Sequence, residues 1–260
     1  MEERTINHLV QNLKNHKDAV IIYGNRTDFN TLKIDESTKD DYSRKKMIKE
    51  PNEFWKYYKE KIYDQDSVKT PSCIDEAINA FIETGTVKLL INLNCTDHIN
   101  GVDVINLKGR AKHLRCMSCN KDFEITDNLL EEAINGESIL KCDECGGKIS
   151  PTVMMFNEKY KDEHIQKIKD AIFKEDEKFN ILLNTHTLIF IDVDFGENYL
   201  DEVIESYSAI KSNVESNDEH FYTVMICNKD GISIDYYKPE FATYEDIADS
   251  VTRLNNLLLD

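Results

Sequence analysis

Cys116-Met117-Ser118-Cys119, followed after twenty-two residues by Cys142-Asp143-Glu144-Cys145, is the stretch that decides how this chain is read. Each pair is a Cys-x-x-Cys, a spacing that lets two thiolates reach one ion from a tight turn. Two such turns complete a tetrahedral four-cysteine shell, and zinc is the expected metal. Gly146-Gly147, directly after the second pair, lets the chain fold back sharply beside the ion. The competing readings are two unrelated buried pairs or two disulfides, and an intracellular setting disfavours the disulfides. A shell of four cysteines has no exchangeable position, so the metal supports the fold and does no chemistry.

At 260 residues the chain exceeds the usual single-domain size, which predicts one large domain with a small appended module. The ribbon is that module, at residues 111–152, inserted between a first part at 1–110 and a second part at 153–260. No apolar run approaches a membrane span, and Glu2, Glu3 and Arg4 are unlike the start of a secretory signal, so an intracellular, cytoplasmic protein with no membrane contact is expected. The formal net charge of −17 argues against direct binding to nucleic acid and leaves a protein or a basic, lysine-rich peptide as the partner that charge would suit. A solvated acidic surface without a specific partner is the plainer alternative. Cys73, Cys95 and Cys227 stand outside the ribbon in apolar surroundings and are expected to be buried free thiols.

Along the chain, short β-branched apolar runs alternate with helical patterns. Ile6, Leu9, Val10 and Leu13 have helical spacing, and Asp18-Ala19-Val20-Ile21-Ile22-Tyr23-Gly24 reads as a buried parallel strand ending in glycine. Residues 25–50 are polar and read as loop with irregular helix. Pro51 opens a helix carrying Phe54, Trp55 and Tyr58, and a second helix, 72–84, precedes a strand at 87–92. A strand at 102–107 runs into Lys108-Gly109 and the ribbon. Beyond it come a helix at 161–173, a strand at 187–191, a helix at 198–211, a strand at 222–227 and a closing helix at 244–259. Alternation on both sides of the ribbon predicts an α/β fold, a doubly wound parallel Rossmann-like sheet with an inserted four-cysteine zinc ribbon.

That order of landmarks resembles the sirtuin family. Pro51-x-x-Phe54-Trp55 precedes the ribbon, and Cys145-Gly146-Gly147-x-x-x-Pro151-x-Val153-x-x-Phe156-x-Glu158 follows it; Pro51, Pro71 and Pro151 fall where that pattern has proline. The resemblance runs from about residue 8 to 258. It implies an NAD-consuming protein deacylase or ADP-ribosyltransferase, with NAD held between the large domain and the ribbon.

The positions that would carry the chemistry depart from the pattern. A Gly-Ala-Gly loop is replaced by Gly24-Asn25-Arg26, where Arg26 either contacts phosphate or obstructs the pocket, obstruction being the favoured reading. The following segment is shortened to Asp28-Phe29-Asn30 and lacks the family's arginine. The family's Thr-Gln-Asn-Ile-Asp aligns with Asn92-Leu93-Asn94-Cys95-Thr96: Asn94 is kept, while Leu93 and Thr96 replace a glutamine and an aspartate. The catalytic histidine of a His-Gly pair is Lys108 before Gly109. An imidazole offers a neutral base near neutral pH, whereas lysine, at about 10.4, holds its proton unless its surroundings lower that value. Lys108 is therefore either a tuned base or a charged residue in a disused cleft. His113, five residues on, is not assigned the catalytic role. Gly-Thr-Ser aligns with Asp192-Val193-Asp194, whose carboxylates would repel a pyrophosphate, accept from ribose hydroxyls, hold a hard cation, or stand as a solvated strand-end pair. Asn228 matches an asparagine near the adenine ribose.

Erosion at so many points of one site predicts a catalytically degenerate sirtuin-fold protein acting as a binding or interaction module. The alternative is a divergent NAD-dependent deacylase, ADP-ribosyltransferase or NAD hydrolase, with Lys108 and Asn94 as catalytic candidates. Gly24, Arg26, Asn94, Asp192, Asp194 and Asn228 are then the cofactor-binding candidates, and Glu158 a further position for residual nucleotide binding. A cleft filled by Tyr23, Arg26 and Leu93 would favour the binding module.

Overall fold

Strands and helices alternate in the computed structural model, which describes residues 3–24, 37–136, 140–175, 180–193, 198–214, 220–227, 239–243 and 245–260. Helix α1 (Glu3–His16) leads into strand β1 (Ala19–Tyr23). There follow α2 (Arg44–Lys49), α3 (Pro51–Tyr58) with a π-helical turn Lys59–Tyr63, α4 (Asp66–Lys69), α5 (Cys73–Glu83), β2 (Val87–Asn92) and β3 (Asp103–Asn106). The ribbon supplies β4 (His113–Cys116), β5 (Asp122–Glu124), α6 (Asp127–Asn135) and β6 (Ile149–Pro151). Next come α7 (Asp162–Ile172), β7 (Phe173–Glu175), β8 (Ile181–Leu183) and β9 (Thr187–Ile191). The last elements are α8 (Asn198–Val214), β10 (Tyr222–Ile226), β11 (Phe241–Thr243) and α9 (Ile247–Leu259).

Six strands pair in the order β11-β10-β9-β1-β2-β3, every pair parallel. The chain enters at β1, steps outward through β2 to β3, and returns to β9 on the other side of β1. That reversal makes the carboxyl ends of β1 and β9 the topological switch point of a doubly wound sheet. Strands buried on both faces explain the near-continuous apolar runs. Ile21, Ile189 and Val224 pack with Leu9, Leu13, Ile78, Phe81, Val251 and Leu254 of α1, α5 and α9 on one face. Val20, Ile22, Phe190 and Met225 pack with Ile168, Ile172, Val203 and Ile204 of α7 and α8 on the other.

A third apolar cluster joins the segment around α2 and α3 to the ribbon: Tyr42, Met47, Phe54, Trp55 and Tyr58 pack with Leu114, Cys116, Leu130, Cys142 and Ile149. Hydrogen bonds fix this junction, the Tyr42 hydroxyl donating to the Val153 carbonyl at 3.0 Å and the Tyr58 hydroxyl to Ala111 at 2.7 Å. The aromatic side chains of the Pro51 helix are thus the floor of the ribbon.

The structure changes the sequence reading in several places. Helix α2 gives regular structure to part of the stretch read as irregular, capped by Ser43, whose side chain accepts from the Lys46 amide. Helix α6 lies between the two cysteine pairs, capped by Thr126, and β7 and β8 form an antiparallel hairpin before β9. Cys73 is exposed, because it opens α5 outside the core, whereas Cys95 and Cys227 are buried. Arg26, Asp194, Asn228 and the stretch Asp28-Phe29-Asn30 lie outside the described residues. Among the described residues, no helix is long and apolar enough to cross a membrane.

Candidate functional site

The four cysteines meet at one point. Cys116 ends β4 and Cys119 follows in its turn; Cys142 and Cys145 sit on the opposing turn, closed by Gly146 N–H donating to the Cys142 carbonyl at 2.9 Å. All four sulfurs lie within 4.8 Å of one another, with Cys116 to Cys145 at 3.5 Å and Cys119 to Cys142 at 3.7 Å. A tetrahedron of thiolates around zinc places its sulfurs about 3.8 Å apart, so the donor set fits that ion. Gly147 is required by the approach of the two turns, since a Cβ there would stand 2.5 Å from Ser118 Oγ and 2.9 Å from Cys116 Sγ. Backbone N–H groups of Ser118 and Gly147 point at Cys116 and Cys145 sulfurs, both at 3.4 Å. The Cys119 and Ser118 amides pull the Cys116 thiol down to about 6. Cys119 is pushed up to about 12 by sharing a proton with Cys145, against the pull of the Lys121 amide. The Cys116 thiolate forms readily while Cys119 and Cys145 are held up, so a cation is what lets all four ionise together.

A second constellation forms at the strand ends. Tyr23 stands in register with Asn92 on one side and Ile191 on the other, and Asn92 with Asn106. The residues just beyond, Gly24, Leu93-Asn94, Leu107-Lys108 and Asp192, therefore share the carboxyl edge of the sheet. Gly24 leaves β1 at φ +101° with its amide donating to the Ile191 carbonyl at 2.9 Å. A Cβ there would fall 2.2 Å from Asn94 Nδ2 and 2.5 Å from its Oδ1. The space left by the missing side chain is thus filled by the Asn94 carboxamide. Asn94 is itself buried, its amide donating to Asn92 Oδ1 at 3.0 Å.

Asp192 leaves the neighbouring strand at φ +53°, also left-handed, and is only 2% exposed. The expectation of a solvated strand-end pair is overturned for this residue. Aspartate tolerates that conformation better than most side chains, which accounts for a non-glycine residue here.

Lys108 and Gly109 are pinned against the segment leaving the ribbon. The Lys108 carbonyl accepts from the Met154 amide at 2.9 Å, and Gly109, at φ +88°, has no room for a Cβ, which would stand 1.9 Å from the Thr152 carbonyl oxygen. Cys95 lies beneath, its thiol pushed up to about 12 by burial although Lys108 pulls the other way, and is no nucleophile at neutral pH. Tyr23 and Leu93 do not fill the crevice. Tyr23 turns into the α1/α5/α9 core, where its hydroxyl donates to Asp75 at 3.0 Å, and Leu93 packs in the core on the opposite face.

One polar group went unread in the sequence. Asp97 stands 3.3 Å from His113 Nε2 and 3.6 Å from Arg110 Nε, and the three line a cavity of about 340 Å³ with Asn92, Thr96 and Asn106. The Thr96 hydroxyl is buried without a hydrogen-bond partner. Nothing in the spacing of Asp97, Arg110 and His113 signals that they meet; the β2–β3 connection brings them together.

The model described as the Sir2 family matches residues 19–185. NAD-dependent protein deacylase 1 of Archaeoglobus fulgidus is 31% identical over 118 residues, 43% of this chain and 44% of that protein. An NAD-dependent protein deacetylase of Clostridium acetobutylicum is 30% identical over 132 residues, 48% and 49% of the two chains. The matched region spans less than half the length of these curated relatives. Among solved structures, Sir2Tm bound to a propionylated peptide superposes with a TM-score of 0.68 at 14% identity, covering 98% of each chain. A Sir2 homolog in complex with NAD gives 0.63 at 18% identity over 97% of this chain and 93% of that one. At such identities the likeness is one of fold.

Proposed function

The chain belongs to the Sir2 family, and from that premise we propose that it is a catalytically degenerate member, a zinc-stabilised fold kept as a binding module for a polypeptide partner. The observation that carries this reading is the side chain ahead of Gly109. Where the resemblance has an imidazole there is Lys108, and a protonated alkylammonium, unlike a neutral imidazole, has no lone pair to accept a proton from a ribose hydroxyl.

The fit of NAD to the described residues supports the same reading. The missing side chain of Gly24 accommodates Asn94, so it does not open that flank for a diphosphate. Asp192 buries a carboxylate at the switch point, where an approaching pyrophosphate would meet like charge. These residues do not suit a dinucleotide diphosphate. The four cysteines, by contrast, suit a structural zinc, which would hold the two turns of the ribbon and with them the floor made by Trp55 and Tyr58.

A second reading, a divergent NAD-dependent enzyme, is favoured by one observation: Tyr23 and Leu93 pack into the cores and do not themselves cover the strand ends, and a carboxylate such as Asp192 can accept from ribose hydroxyls. Calorimetric titration of NAD and of ADP-ribose into the zinc-loaded protein separates the two. Heats equal to dilution at millimolar ligand are expected; saturable binding in the micromolar range would overturn the degenerate reading and make Lys108→Ala turnover the next measurement.

A further inference from the structure

A groove of about 980 Å³ runs between α7, the β7–β8 hairpin and α8, and its lining shares no residue with the strand-end group or with the ribbon. Its floor is apolar, made by Phe173, Ile181, Val203 and Ile210. Side chains alternate along β8, so Ile181 and Leu183 point the same way. Leu183 is buried in the core that α7 and α8 share, whereas Ile181 is 55% exposed. The apolar stripe of this strand therefore continues past the core and into the groove, where a covering surface would remove it from water. Among the described residues the hairpin consists of two strands of three residues each that pair with one another alone, a unit that gains from further cover.

The rim charges say what kind of surface fits. The α7–β7 wall carries both cations, Lys169 and Lys174, beside Asp170 and Glu175; the ionisable residue of the α8 wall is the acid Glu202. Asp170 is engaged by Gln166, whose amide donates to it at 2.7 Å. Lys169, Lys174, Glu175 and Glu202 form no ion pair among the described residues. A partner of one charge sign would be drawn to one wall and repelled by the other. A surface bearing the same two walls in reverse order suits both. A second copy turned about a two-fold axis along the groove is such a surface, because each lysine wall then meets the Glu202 wall of the other copy.

Size sets the strength of the pairing. Helix α8, of 17 residues, is about 25 Å long, and two helices beside a groove span about 20 Å, so the face offers roughly 500 Å² per copy. A standard interface takes about 800 Å² per partner, which makes this a weak and reversible contact. Each copy carries −17, yet at physiological ionic strength the Debye length is about 8 Å, and charges outside the contact are screened.

We propose that this groove is the interface of a reversible two-fold dimer of the chain. The inference goes beyond the binding-module reading and does not depend on whether the strand ends hold NAD.

The test is sedimentation equilibrium of the zinc-loaded full chain at physiological ionic strength, from about 1 μM to about 200 μM. The apparent mass is expected to rise with concentration from 30.2 kDa toward twice that value. Ile181→Asp, its fold checked by circular dichroism, is expected to weaken association at least about tenfold. Lys169→Glu makes both walls acidic and Glu202→Lys makes both more basic, so each variant alone should associate less than the parent. Mixed together, the two should associate at least about tenfold more tightly than either alone, since every wall then meets opposite charge. A single-chain mass at every concentration would leave the groove to a different polypeptide and overturn the proposal. A dimer that Ile181→Asp leaves unchanged would lie on another face, and a mixture no tighter than its components would refute the two-fold arrangement; either result also overturns it.

Discussion

Gly24 and Asp192 leave adjacent parallel strands through the same left-handed region, one without a side chain and one with a buried carboxylate. For Gly24 two constraints coincide, φ +101° and a Cβ position already occupied by the Asn94 carboxamide at 2.2 Å. Gly24→Ala should therefore destabilise the protein by about 2 kcal/mol or more, measured by urea unfolding. Adding Asn94→Ala should recover the steric part and leave the backbone part, a coupling that a double-mutant cycle reads directly. An alanine variant as stable as the parent would mean that the close approach is not real. The sequence marks Gly24 and Asn94 as separate motif positions, and their contact is invisible in it because they stand seventy positions apart with helices α2 to α5 between them. The departure at Asp192 is legible as a charge in place of glycine. Its burial is not, since a lone strand-end aspartate is ordinarily solvated.

At the scale of elements, legibility follows burial. Strands β1, β2, β9 and β10 are covered on both faces, so their runs of Val, Ile and Leu announce themselves. Helix α6 was missed because its buried set is only Leu130 and Ala133, a narrow stripe on an otherwise polar segment. The doubled Cys-x-x-Cys revealed the ribbon, yet not that its core extends under α2 and α3. That shared core yields a test with a built-in reporter, because Trp55 is the only tryptophan of the chain and is fully buried in the cluster that contains Cys116 and Cys142. Removing the metal with a strong chelator should shift Trp55 emission to the red, and restoring zinc should reverse the shift. The binding energy of a structural zinc, about 10–16 kcal/mol in small zinc folds, is comparable with the net stability of a whole domain, so its loss should loosen the cluster built around the ion. Emission that stays blue after complete chelation would show that the aromatic floor stands without the metal.

The whole molecule carries −17 charges on a folded body, and two opposing salt effects must be weighed. Exposed pairs such as Lys46–Glu50, Lys69–Asp64 and Lys121–Asp143 are weakened by added salt, each contributing about 1 kcal/mol or less. Self-repulsion works in the other direction. Folding 260 residues from an expanded coil into a body of radius about 20–25 Å concentrates like charge, and shortening the Debye length from about 30 Å to about 8 Å relieves roughly a few kcal/mol of it. The repulsive term is collective and scales with the square of net charge, while the pairs lose only part of a small energy each, so repulsion should win. The melting temperature of the zinc-loaded protein should rise by roughly 5 °C or more between about 0.01 M and 0.15 M sodium chloride. A melting temperature that falls over this range would place the balance with the ion pairs and show that acidic charge is spread too evenly to oppose folding. By the same repulsion, Lys159→Glu/Lys161→Glu should lower the melting temperature most at low ionic strength, and that deficit should shrink as salt is added.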